Sequence, residues 1–241
     1  RTLAVATSAV RDAENGEAFL GEVEWAYGFV TRLLDGLEEA AITFRGVASG
    51  SAVEPDTLVV DIGGGSTELV LGGPDGVDWA TSLQVGSVRL SERFLHDDPP
   101  TAAELDACAR HVRSALPALR PHRAIGVAGT VTTLATLDLG LAEHDPARTH
   151  GHVLTRAAIG EQLERLGALP LAERRAVPGL EPERAPVILG GIVVLDATLD
   201  ASGLEEIAVS ERDLLDGAAL AAAELPEPEE GPAPPGAYTC C

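Results

Sequence analysis

Within the run Asp61-Ile62-Gly63-Gly64-Gly65-Ser66-Thr67-Glu68, two carboxylates, two hydroxyls and three consecutive glycines follow one hydrophobic segment. Phosphate oxygens bind N–H donors, which a glycine backbone can bring close, and Mg2+ binds carboxylate and hydroxyl oxygen. The set therefore suits a phosphoryl group held together with a divalent cation. The competing reading is a plain hairpin whose glycines only supply positive φ. A nucleophile elbow and a dinucleotide fingerprint both fail, because each needs glycine at position 68, where Glu68 stands.

Four further groups can do chemistry. Glu38 and Glu39 are helix neighbours about 100° apart, so they cannot share one task. Glu38 completes a capping box with Asp35, which leaves Glu39 free to serve as a general base toward water, unless it lies on a solvated face. Gly126-Val127-Ala128-Gly129-Thr130 turns from a strand into a helix start, whose free amides and dipole suit an anion. Arg11 and Arg89 can each clamp a phosphate or form an ordinary surface ion pair, and His150 with His152 lacks a third clustered metal ligand.

The elements that must position these residues alternate strand and helix. Strands are expected at Leu3–Ala9, Val30–Leu34, Leu58–Val60, Glu68–Leu71, Ala124–Ala128 and Ile207–Val209. Helices are expected around Phe19, Val23 and Ala26, stopping at Gly28, and from Leu37 to Val47. Others are expected over Ala102–Leu119, through Thr133–Leu137, and from Asp213 to about Ala223. The polar stretch from Ser49 to Pro55 reads as a linker, dividing residues 1–50 from a second domain at 56–222. The Pro- and Glu-rich remainder, 223–241, reads as a disordered tail carrying Cys240 and Cys241.

Composition removes whole mechanisms. The 241 residues carry a formal charge of -21, which argues against general affinity for nucleic acid or anionic membrane. All 17 basic residues are Arg, so neither a Walker-type lysine nor a Schiff base is available. No apolar run is long enough to span a bilayer, no leader peptide is evident, and three cysteines make no disulfide framework; a soluble cytoplasmic protein is expected. The sequence has no Met and enters a strand at once, so the first domain is expected to be incomplete at its N-terminus.

Together these motifs resemble the exopolyphosphatase and guanosine pentaphosphate phosphohydrolase family. The resemblance runs through Val5–Asn15, Gly36–Ala40, Asp61–Glu68, Val85–Leu90, Gly126–Thr130, His150-Gly151 and Val209–Gly217. It implies an α/β actin-like (ribonuclease H-like) fold with two domains closing on a cleft. By the same resemblance Glu39 is the catalytic base, contributed by the other domain, and Asp61 and Glu68 hold Mg2+ and position water. Gly63, Gly64, Gly65, Ser66 and Thr67 form the phosphate loop, with Arg11 on a substrate phosphate and Arg89, Gly129 and Thr130 as further phosphate-binding candidates. The substrate expected is inorganic polyphosphate or guanosine pentaphosphate, in a possible homodimer. Two departures stand out: no Asp-x-Gly-Ser/Thr-Asn loop precedes Arg1, and position 41 is Ala where Arg is expected. A nucleotide-binding ATPase or kinase of the same fold, or an inactive truncated binding module, are the alternatives.

Overall fold

The computed structural model describes residues 2–226, so the Cys240-Cys241 tail lies outside the described residues. In chain order the elements begin with β1 (Leu3–Ala6), α1 (Ser8–Arg11), α2 (Gly16–Tyr27), β2 (Val30–Leu33) and α3 (Gly36–Gly50). There follow β3 (Thr57–Ile62), β4 (Thr67–Gly73), β5 (Gly76–Leu83), α4 (Ser87–Phe94), α5 (Ala102–Ala115), β6 (Arg123–Val127) and α6 (Ala128–Asp138). The chain continues with α7 (Pro146–Thr149), β7 (Val153–Thr155), α8 (Arg156–Gly167), α9 (Leu171–Arg174), α10 (Ile188–Ser202), β8 (Glu206–Val209) and α11 (Leu214–Ala223). Among the described residues no helix is long and apolar enough to cross a membrane.

Strand parity organises the molecule. A mixed sheet runs β5-β4-β3-β6-β8-β7, with β3, β6 and β8 parallel and the other pairings antiparallel. Successive side chains of a strand face opposite ways. Leu58, Val60, Ile62 and Leu69 accordingly join the large core beneath α10, with Ile188, Leu189 and Ile192. Val59 and Val70 face the other way and pack with Ala40, Phe44 and Val47 of α3. That second face is the one on which Asp61, two residues after Val59, and Glu68, two before Val70, must lie.

Phe44 and Val47 share a buried cluster with Val59 and Val70, so Ser51–Pro55 joins α3 to the sheet that it packs on. The strand expected to continue to Ala9 ends at Ala6, and α1 follows; β5, α4 and β7 lie outside the expected elements. In α2, Gly28 does stop the helix in the left-handed conformation at φ 66. Its expected apolar face is nevertheless open: Gly16 and Leu20 are the buried residues, while Phe19 is half exposed.

Helix α11 crosses α3 at two glycines. A Cβ on Gly46 would lie 1.8 Å from the Asp213 carbonyl oxygen, and one on Gly217 would lie 1.9 Å from that of Ile42. Alanine gains roughly 1 kcal/mol over glycine in a helix interior, but here the obstacle is backbone and the helices must separate. Overpacking of this kind costs about 1–3 kcal/mol. Gly46→Ala is therefore expected to lower the denaturant midpoint; an unchanged or higher midpoint means that α11 can slide off α3 without loss.

Candidate active site

The site is assembled by three adjacent strands and one helix. In register, Asp61 of β3 stands opposite Glu68 of β4, and Glu68 stands opposite Ser82 of β5. All three therefore lie on the α3 face. Helix α3 starts with the expected capping box: the Asp35 carboxylate accepts from the amides of Leu37 and Glu38, and the Glu38 carboxylate accepts from the Asp35 amide. That fixes the first turn and commits Glu38 to the cap, where it also pairs with Arg32. Glu39, the next residue, turns inward and is 6% exposed.

Three carboxylates are thus buried together, Asp61 at 7% and Glu68 at 1% exposure beside Glu39. Burial disfavours the charged form of each. It pushes Asp61 up to about 7, tempered by the Thr43 hydroxyl and reinforced by the charges of Glu39 and Asp213. It pushes Glu68 up to about 8, with Glu39 and Asp61 adding repulsion while Ser82 opposes it. Glu39 is raised as well, by burial first, with Arg11 holding it back through charge and a hydrogen bond.

Hydrogen bonds satisfy only part of this cluster. Thr43 Oγ1 donates to Asp61 Oδ2 at 2.9 Å, and Ser82 Oγ donates to Glu68 Oε1 at 2.6 Å. Among the described residues, Glu68 Oε2 is the buried side-chain polar atom left without a partner; the nearby Ser66 hydroxyl eases its charge without a well-formed bond. An orphaned, buried carboxylate oxygen is costly unless something positive meets it. Two carboxylates on neighbouring strands with one unused oxygen fit a hard divalent cation. Among the described residues no three His, Cys, Asp or Glu side chains close a complete metal cage. Mg2+ commonly takes one or two carboxylates and completes its shell with water and substrate phosphate.

The glycine loop lies at the end of β3. None of Gly63, Gly64 and Gly65 has positive φ, which removes the plain-turn reading. Close approach is what the last of them satisfies: a Cβ on Gly65 would sit 2.5 Å from Ser8 Oγ. The loop's carbonyls are already used, since Ser87 donates its amide to Gly63 O, and Val88 and Arg89 donate theirs to Gly64 O. Those bonds consume the first amides of α4. The amides of Gly64 and Gly65 have no acceptor among the described residues. Ser66 and Thr67 are buried, and Thr67 Oγ1 donates to the Val85 carbonyl, so Thr67 braces the loop.

The two arginines are held by different partners. Arg11 Nη1 donates to the Leu34 carbonyl at 2.6 Å and reaches Glu39 Oε2 at 3.4 Å. Arg89 Nε donates to Gly65 O at 2.8 Å, and its Nη2 pairs with Asp12 at 2.5 Å. Arg11 is therefore held between Leu34 and Glu39, and Arg89 between the glycine loop and Asp12, each half exposed or less.

Gly129 and Thr130 lie at the start of α6, two and three residues beyond Val127, the register partner of Asp61. Ala128 holds φ 64 there, an uncommon conformation for a residue with a Cβ. Thr130 is buried against Gly191 of α10, and the Arg184 guanidinium lies over Gly129. Ala128, Gly129 and Arg184 border a cavity of about 200 Å³ that Thr133, His144, Glu211 and Asp213 also line. His150 accepts from the Glu211 amide and His152 pairs with Asp138, so the two histidines serve separate contacts. Sequence reasoning missed Thr43, Ser82 and Asp213. Thr43 carried a signal, since it lies one turn beyond Glu39 on the same face of α3.

Known proteins resemble this chain in sequence and in fold. Exopolyphosphatase 2 of Mycobacterium tuberculosis is 39% identical over 241 residues, a match covering 92% of this chain and 75% of that protein. A solved Aquifex aeolicus PPX-GPPA enzyme superposes with a TM-score of 0.83 at 34% identity, covering 90% of this chain and 74% of its own. A guanosine-5'-triphosphate,3'-diphosphate pyrophosphatase of Photobacterium profundum is 29% identical over 224 residues, covering 90% of this chain and 44% of that protein. The mixed-sheet α/β architecture is that of these actin-like relatives. Because residues 1–224 match the sequence model of the Ppx/GppA phosphatase family, and relatives align over nine-tenths of its length, the chain belongs to that family.

Proposed function

We propose that the chain is a phosphohydrolase that releases terminal phosphate from inorganic polyphosphate or guanosine pentaphosphate. The observation that carries this reading is the buried Glu39, Asp61 and Glu68 cluster beside a glycine loop with unused amides. Phosphoanhydride hydrolysis needs a positioned water, an acceptor for its proton, and positive surroundings for the phosphoryl oxygens. Glu39 is the base: burial raises its basicity, and Arg11 holds one oxygen and opposes that rise. The amides of Gly64 and Gly65 receive phosphate oxygens, and Arg11 and Arg89 contribute charge from the rim. Asp61 and Glu68 are the residues that hold Mg2+, which when bound supplies charge against the phosphoryl oxygens. Phosphate release measured side by side on the two substrates, with and without Mg2+, tests the proposal. Absence of release from both, by a folded protein saturated with Mg2+, refutes it.

Arg11 provides a finer check. Its charge lowers the Glu39 pKa, so Arg11→Met should move the acidic limb of the kcat/KM profile to higher pH. If the limb stays in place while KM alone rises, Arg11 serves substrate binding and not the base.

A further inference from the structure

We infer that Thr43 and Ser82 are positioning residues that leave Asp61 and Glu68 one oxygen each for a cation, and thereby favour Mg2+ over Ca2+. The inference rests on the reading of Asp61 and Glu68 as the metal-holding pair. Thr43 is fully buried, and its hydroxyl occupies Asp61 Oδ2 at 2.9 Å. Ser82 occupies Glu68 Oε1 at 2.6 Å, which leaves Oε2 as the unpartnered atom. Neither clamp can swing away freely. Thr43 is carried on α3 among buried residues, and the start of the same helix abuts Ser82, since a Cβ on Gly36 would lie 2.3 Å from Ser82 Cβ.

The consequence follows from coordination chemistry. Ca2+ takes 6–8 oxygens at about 2.3–2.6 Å and often uses both oxygens of a carboxylate, whereas Mg2+ requires octahedral geometry at about 2.0–2.1 Å with single oxygens and retained water. A bidentate mode at either carboxylate would have to share with the cation an oxygen that already accepts a hydrogen bond from Thr43 or Ser82. A single-oxygen mode disturbs neither bond. Because α3 also carries Glu39, one rigid element sets both the base and the denticity of the cation site.

The test is calorimetric titration of the whole protein with Mg2+ or Ca2+, with Mn2+ binding read by electron paramagnetic resonance. Wild type, Thr43→Val, Thr43→Ser, Ser82→Ala and Glu68→Gln are compared, each checked by thermal melting. Thr43→Val and Ser82→Ala are expected to weaken Mg2+ and Mn2+ binding about 10-fold, to weaken Ca2+ binding less, and so to lower the Mg2+/Ca2+ preference. Thr43→Ser should restore it. If both hydroxyl variants keep the wild-type preference, or lose the two ions equally, the inference is overturned while the metal reading stands. Unaltered binding in Glu68→Gln removes the metal reading and the inference with it.

Discussion

Glu39→Gln is expected to lower kcat for phosphate release by about 10²–10⁴, the usual worth of a positioned general base, with KM little changed. Gln matches Glu in shape and keeps an oxygen for Arg11, so the tether to Arg11 and Leu34 can persist. What disappears is the proton acceptor. A fall in kcat and kcat/KM together, without a rise in KM, marks an interaction made in the transition state. The neighbouring Glu38→Gln supplies the control. Glu38 caps α3 and pairs with Arg32 on the surface, so its loss should cost about 0.5–1 kcal/mol of stability and leave turnover intact. Wild-type turnover in Glu39→Gln would place the base elsewhere; equal losses in both variants would point to damage at the helix start.

What could be read from the sequence was local. The capping box at Asp35 and Glu38 is a spacing of three residues, and a helix start enforces it wherever it occurs. The β3–β4 hairpin follows from two apolar runs around glycines, and once it forms Asp61 and Glu68 must face each other. The reason for the glycines was less legible, because positive φ and close approach leave the same residue in the sequence. The backbone angles of the three glycines and the position of Ser8 against Gly65 separate them.

The partnership of α3 with the sheet was hidden for a related reason. Ser49, Gly50 and Ser51 are typical linker residues, yet Gly50 lets the Arg212 side chain approach and Gly46 seats α11. Small residues that enable packing look like small residues that permit flexibility. Strand β5 escaped notice because Asp78, Thr81 and Ser82 interrupt its apolar pattern, and Ser82 does so in order to reach Glu68. The polar residue that obscured the strand is one that the site uses.

The same burial that equips the site should make the metal-free protein less stable as pH rises. Asp61 titrates near 7 in the folded chain against an ordinary 3.8, and Glu68 near 8 against 4.5. Between those values the folded state holds protons that the unfolded state has released, so stability declines with increasing pH. Full stability is present below about pH 4 as far as these two groups are concerned, and it is lost as pH passes through 7 and 8. Glu39 and Asp213, both raised chiefly by burial, act in the same direction. Glu104, held near 2 by backbone donors, works the opposite way but only in the acid range.

Glu68→Gln removes one buried charge and should stabilise the protein at pH 8.5 by roughly 2–4 kcal/mol, since a tenfold change in proton affinity corresponds to about 1.4 kcal/mol before relaxation. At pH 5, where Glu68 is protonated, the two proteins should melt together. Thermal melts in chelator across pH 5–9 read both effects. Added Mg2+ should then raise the wild-type midpoint at pH 8.5 and leave that of Glu68→Gln nearly fixed, because a ligand stabilises only the state that binds it. A flat wild-type profile would mean that water reaches both carboxylates. In the expected outcome, stability given up at neutral pH is recovered when a cation meets Glu68 Oε2, the oxygen that the fold leaves unpartnered.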